Sequence, residues 1–151
     1  MIPSAYIPDR LQEITTEFQT ASKTEKLQLL VTFAEQFPPL PERYQGKQSP
    51  VNQVHECMTP VYVYAELRDE KIDFFFSIPP ESPTIRGYAA ILSAILDGLT
   101  PGQVLQIPLN FYEGLGLQTV LSPQRVRGIA GIFLHVKKLA QRAIQVQGEI
   151  S

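Results

Sequence analysis

The chain holds one cysteine among its 151 residues, only two histidines, and no marked excess of either charge. A single thiol cannot close an internal disulfide, nor alone supply the several thiolates of a zinc or iron–sulfur site. Cys57 is left as inert filler, as a link to another chain, or as a reactive nucleophile. With 13 Lys+Arg against 15 Asp+Glu and a net charge of -2, there is no general basic field to hold a polyanion. Nucleic-acid binding is therefore not expected. No apolar run approaches the roughly 18 to 20 residues that cross a bilayer. The opening "MIPSAYIPDRLQEITTEF" has no basic stretch followed by an apolar one, so no leader is read there. A cytoplasmic protein without membrane attachment is the expectation. Neither GxGxxG after a strand nor GxxxxGK(S/T) occurs, so both phosphate-binding fingerprints are missing.

What is present is a globular composition, 44% hydrophobic and 19% charged, of a length suited to one core. A single domain over 1–151 is expected. Leu11, Ile14 and Phe18 recur at helical spacing within residues 8–21. Ser22 and Glu25 have capping-box spacing ahead of a second helix, whose stripe is Leu27, Leu30, Val31 and Ala34 before Phe37. "PPLP" (38–41) ends it, because proline lacks the amide donor, and 38–50 reads as a surface loop. "VYVYAEL" (61–67) and "KIDFFFSI" (71–78) are β-branched and aromatic, joined by the hairpin-length turn "RDE". Val51–His55 reads as a shorter third strand, which places "CMTP" in a connection near one end of the sheet.

The second half is helical. Ser82 and Pro83 open a helix bearing Ile85, Tyr88, Leu92, Ile95 and Leu96, with Gly98 as its stop. Thr100 and Gln103 cap a short helix containing Pro101. "PLNFYEGLGLQTVL" is broken by glycine into one short helix and turns. Ser122-Pro123 begins the longest helix, to about residue 146, with Val126, Ile129, Ala130, Phe133, Val136 and Ala140 inward. The order predicts an α+β fold: a small antiparallel sheet of about three strands packed against N- and C-terminal helices.

His55, Glu56 and Cys57 are consecutive, a poor metal set, since neighbours in extended chain face opposite ways. His135 reads as a helix-face residue. A cysteine hydrolase would recruit His55 or His135 as base and Asn52 or Asn110 as orienting group. No local signature or glycine-built oxyanion loop accompanies it. From residue types alone Cys57 is balanced between core filler and nucleophile. An adjacent Glu56 raises the thiol pKa if the two groups are close.

Taken together, these segments resemble the SufE family of cysteine-desulfuration proteins, from roughly Leu27 to Arg142. The acceptor pattern V-x-G-C-Q-S-x-V-W is matched by Val54-His55-Glu56-Cys57-Met58-Thr59-Pro60-Val61-Tyr62. Glutamate replaces glycine at 56, Met-Thr replaces Gln-Ser at 58–59, and Tyr62 replaces Trp. "IRGYAAILSAILDGLTP" is similar to the family's middle helix, and "LGLQTVLSPQRVRGI" to L-x-x-x-L-S-P-x-R-x-x-G-L, with Arg127 where Asn is frequent. The resemblance implies a SufE/IscU-like fold and a sulfur acceptor. On it, Cys57 takes persulfide sulfur from a pyridoxal-phosphate-dependent cysteine desulfurase and passes it to an iron–sulfur scaffold. The pyridoxal phosphate belongs to that partner, and this chain needs no cofactor. Arg125, matching the S-P-x-R arginine, together with Arg86, His55 and Glu56, is the expected partner-binding set. A helix N-terminus favours anions, so a cation at 125 is expected to pair with a carboxylate or to lie close to the thiol. The alternative is an adaptor of the same fold with an inert thiol.

Overall fold

The computed structural model describes residues 6–150, with side chains through residue 146. Its elements in chain order are α1 (Asp9–Gln19), α2 (Lys23–Glu35), β1 (Tyr62–Arg68), β2 (Lys71–Ser77), α3 (Pro83–Leu96), α4 (Pro101–Gln106), α5 (Phe111–Gly114) and α6 (Pro123–Ile150). Single 3₁₀ turns lie at Glu42–Tyr44 and Leu117–Thr119. This is the α+β architecture expected.

The helix starts follow from local chemistry. At α2 the Ser22 hydroxyl accepts from the Glu25 amide, while the Glu25 carboxylate accepts from the Ser22 amide. Thr100 and Gln103 do the same at α4. Two orphan donors are satisfied at each start. Gly98 and Gly116 adopt φ of 75° and 74°, a left-handed conformation that costs glycine little and ends a helical turn without strain.

β1 and β2 pair antiparallel from Tyr62↔Ser77 to Arg68↔Lys71. The connection is the two residues Asp69 and Glu70, Asp69 taking a positive φ of 59°. The sheet has two strands rather than about three. Where a third was expected, Gln53 makes one bridge to Tyr62, supported by Val54 N–H to the Val61 carbonyl and Val63 N–H to the Asn52 carbonyl, both 2.8 Å. Pro60 has no N–H to extend the ladder, and Pro50, Val51 and Asn52 are already turning.

α3 is the centre of the molecule. Ile85, Tyr88, Ala89, Ala90, Ile91, Leu92, Ile95 and Leu96 are all buried, more than one face of a surface helix supplies. α2 crosses it so closely that a Cβ on Gly87 would lie 2.2 Å from the Leu30 carbonyl oxygen. With that approach Leu30 is buried as expected and Phe33 beside it, while Leu27 and Val31 are exposed, which corrects the expected α2 stripe at those two positions. On α1 the buried residues are Leu11, Ile14 and Phe18. α6 closes the core from the other side with Ile129, Ile132, Phe133, Val136 and Ala140. Lys137 reaches from α6 to donate to the Leu105 carbonyl at 2.9 Å, occupying orphan acceptors at the end of α4. Among the described residues no helix is long and apolar enough to cross a membrane.

Candidate functional site

Cys57 lies on a short loop whose two ends are pinned. Val54 and Val61 are fully buried and joined by the 2.8 Å hydrogen bond already described. Between them the backbone has no strand partner, and the Cys57 amide turns back to the Val54 carbonyl at 3.3 Å. Burial of two valines thus fixes the loop's base, while residues 55–60 take their positions from their neighbours.

Those neighbours come from the start of α3 and the first three turns of α6. The Thr59 hydroxyl bonds the Ser82 hydroxyl at 3.1 Å. Ser82 therefore does not cap α3 with its side chain, as its position before Pro83 implied. On α6, Gln124 contacts the Met58 thioether. Gly128 faces Cys57, so that an added Cβ would meet Sγ at 3.1 Å; Gly131 faces Glu56, where a Cβ would meet the Glu56 Cβ at 2.6 Å. Positions 124, 128 and 131 fall on one helix face, and Met58, Cys57 and Glu56 run along it in reverse order. Sequence reasoning did not assign this role to Gly128 and Gly131. The available signal was the helix-interior glycines in "RGIAG", each costing about 0.5–1 kcal/mol against alanine.

Beside the thiol is a pocket of about 240 Å³ walled by Met58, Thr59, Ser82, Thr84, Gln124 and Arg125 among others. Its lining includes the first residues of two helices of ample length, Pro83, Thr84 and Ile85 of α3 and Gln124 and Arg125 of α6, and a helix start favours negative charge. Arg125 adds a full positive charge. Its side chain makes no ion pair among the described residues, unlike Arg10, Arg43 and Arg68. The Glu81 carboxyl, also on the wall, opposes it.

The remaining expected residues are placed elsewhere. Arg86 donates Nε and Nη2 to the Ile78 carbonyl at 3.0 and 2.8 Å and stacks over Phe37. Its guanidinium ties the end of β2 to α3 and does not line the pocket. His55 is exposed and its ring approaches the Pro50 carbonyl at 3.2 Å. Glu56 is exposed and borders, with Arg127, Leu109 and Leu134, a shallow groove of about 420 Å³. His135 is half-buried on α6 with Nε2 unpartnered. Burial lowers its pKa, with Arg142 and Lys138 adding to the effect against a weaker pull from Glu56. Neither histidine, nor Asn52 or Asn110, lines the thiol pocket, so the hydrolase arrangement has no base in place.

Burial is the main influence that pushes the Cys57 thiol above its ordinary range. The Thr59 backbone amide pulls it back, and the Glu56 charge adds a smaller upward push. A free thiol titrates near about 8.5. The alkylation rate of Cys57 by iodoacetamide should therefore have its midpoint above that value, falling about tenfold per pH unit below it because only the thiolate attacks. A midpoint at or below that of free cysteine contradicts the stated electrostatics.

The chain matches the family model described as SufE, Fe-S metabolism associated domain, over residues 12–140. A SufE-like protein of Mycobacterium tuberculosis is 34% identical over 144 residues, covering 95% of this chain and 99% of that one. The sulfur acceptor protein CsdE of Escherichia coli is 27% identical over 107 residues, covering 70% and 69%. The solution structure of a hypothetical protein from Thermus thermophilus superimposes with a TM-score of 0.79 at 31% identity, covering 92% of this chain and 98% of that one. The chain belongs to the SufE family, which places it in iron–sulfur metabolism.

Proposed function

We propose that this SufE-family protein is a sulfur acceptor and carrier, taking sulfur from the persulfide of a cysteine desulfurase onto Cys57. The observation that carries the reading is the setting of that thiol. It stands on a loop without strand partners, beside a pocket lined by the first residues of two helices and by Arg125, which makes no ion pair among the described residues. The Cys57 thiolate attacks the outer sulfur of the desulfurase's Cys–S–SH. A new S–S bond forms, the desulfurase cysteine leaves as thiolate, and no electron is gained or lost overall. The anionic sulfur cargo is then held where the helix dipoles and Arg125 favour negative charge. A lone cysteine suits the task, since a second nearby thiol would displace the cargo as sulfide. Pyridoxal phosphate belongs to the partner, and an iron–sulfur scaffold receives the sulfur. The likeness to the Escherichia coli sulfur acceptor protein supports the same assignment.

The test is the rate at which a cysteine desulfurase turns over cysteine with and without this protein. Stimulation that saturates with added protein and needs Cys57 is expected; an indifferent desulfurase removes the proposal. Arg125→Ala should slow sulfur uptake by on the order of tenfold, as loss of a charge complementary to an anion does, and Arg125→Lys should restore part of it. Unchanged uptake and affinity would make Arg125 an ordinary solvated side chain.

A second reading has one observation in its favour: burial and Glu56 both hold the thiol protonated. On that reading the protein is an adaptor that binds its partner while Cys57 stays inert. A Cys57→Ser variant that modulates the partner at full strength would select it.

A further inference from the structure

We propose that Gly131 is a positioning residue for the Cys57 thiol, its missing side chain being the seat on which Glu56 holds the loop against α6. The geometry is specific. A Cβ at position 131 would come within 2.6 Å of the Glu56 Cβ, 2.8 Å of its Oε2 and 3.1 Å of its Cδ. Normal carbon–carbon contact is about 3.5–4.0 Å, so the seat exists only because Gly131 has no side chain. The nearest obstructing atom is Cβ, the near end of the glutamate, and rotating the carboxylate away does not relieve it. The backbone at position 56 has to move, and Cys57 is the next residue.

One turn back on the same face, Gly128 meets the sulfur itself at 3.1 Å from its would-be Cβ. The two glycines act in sequence along the helix, Gly131 setting the height of the loop and Gly128 receiving the thiol. This explains how the thiol comes to be half-buried on a loop without strand partners. It also gives Glu56 a mechanical task besides its charge. His55, exposed and directed to Pro50, has no comparable seat.

The inference deepens the acceptor reading, which supplies its consequence, but the seat is testable with no desulfurase present. The full chain and its Gly131→Ala, Glu56→Gly, Glu56→Gly/Gly131→Ala and Gly128→Ala variants are alkylated with iodoacetamide across pH, with circular dichroism as the check on folding. In Gly131→Ala the loop lifts, the alkylation rate at pH 7.5 rises by about fivefold or more, and the midpoint falls toward that of a free thiol as desolvation is relieved. In the Glu56→Gly background the same alanine changes the rate less than about twofold, because the atoms it would strike are gone. Gly128→Ala shifts the rate by meeting the sulfur directly. If Gly131→Ala fails to fold, restored folding in the double variant supports the seat, and a double variant that also fails overturns it. The proposal is equally overturned if Gly131→Ala raises the melting temperature and leaves the thiol unchanged, the behaviour of an unconstrained helix glycine. Equal acceleration in both backgrounds also overturns it. A Cys57 that accepts no sulfur leaves each of these readings as it is, so the two failures are separable.

Discussion

Cys57→Ser should abolish sulfur loading while leaving the fold and partner affinity within about twofold of the parent, since isosteric changes usually have small packing cost. Serine keeps the shape of the side chain and its place over Gly128. What it loses is the chemistry, because an alcohol cannot form the S–S bond that carries the cargo. The effect on transfer is therefore all-or-none, whereas the effect on docking is slight. Residual loading in the variant would mean that sulfur enters by a route other than displacement at this position. No other cysteine in the chain could take it.

Gly87→Ala should be the most destabilising of the alanine substitutions at glycine. In an open helix the exchange stabilises by about 0.5–1 kcal/mol. Here the new Cβ would lie 2.2 Å from the Leu30 carbonyl oxygen and 2.9 Å from its carbon. The obstacle is backbone, so α2 and α3 must separate along their contact. Overpacking of this kind costs about 1–3 kcal/mol and occasionally more, and a rigid obstacle puts it at the top of that range. At about 2–4 °C per kcal/mol for a chain of this size, the melting temperature should drop by about 6–12 °C. An unchanged or raised melting temperature in a thermal scan would show that the helices do not approach so closely.

The helix caps that could be read from the sequence are those whose chemistry is complete within four residues. Ser22 with Glu25, and Thr100 with Gln103, are settled locally and form as expected. Ser82 has the same local look, yet its hydroxyl is engaged by Thr59, 23 positions away in the chain. Distance along the sequence hides that exchange. The α2 stripe was right at Leu30 and wrong at its neighbours for a related reason: helical periodicity assigns Leu27 and Val31 to the inner face as well, but with α2 lying close over Gly87 it is Phe33 that joins Leu30 in the core. The third strand failed because Val51–His55 has only its two valines to favour a strand and shares a single bridge with β1.

At the candidate site, residue types alone leave Cys57 balanced between core filler and nucleophile, and it is the resemblance of the surrounding motif that marks it out. The same resemblance marks Arg125, which lines the pocket together with Cys57. The positive charge of Arg86 is equally visible in the sequence, but its use by the Ile78 carbonyl and the Phe37 ring is not. Least legible were Gly87, Gly128 and Gly131, because a glycine inside a helix announces only a cost. What it makes room for is known once the opposing backbone or side chain is placed.

The most direct test is the intact mass of the protein after anaerobic incubation with a cysteine desulfurase and cysteine. A gain of one sulfur, about 32 Da, removable by reductant and mapped to the peptide containing Cys57, is the predicted result. An unchanged mass under conditions in which the desulfurase itself carries a persulfide would contradict the acceptor account.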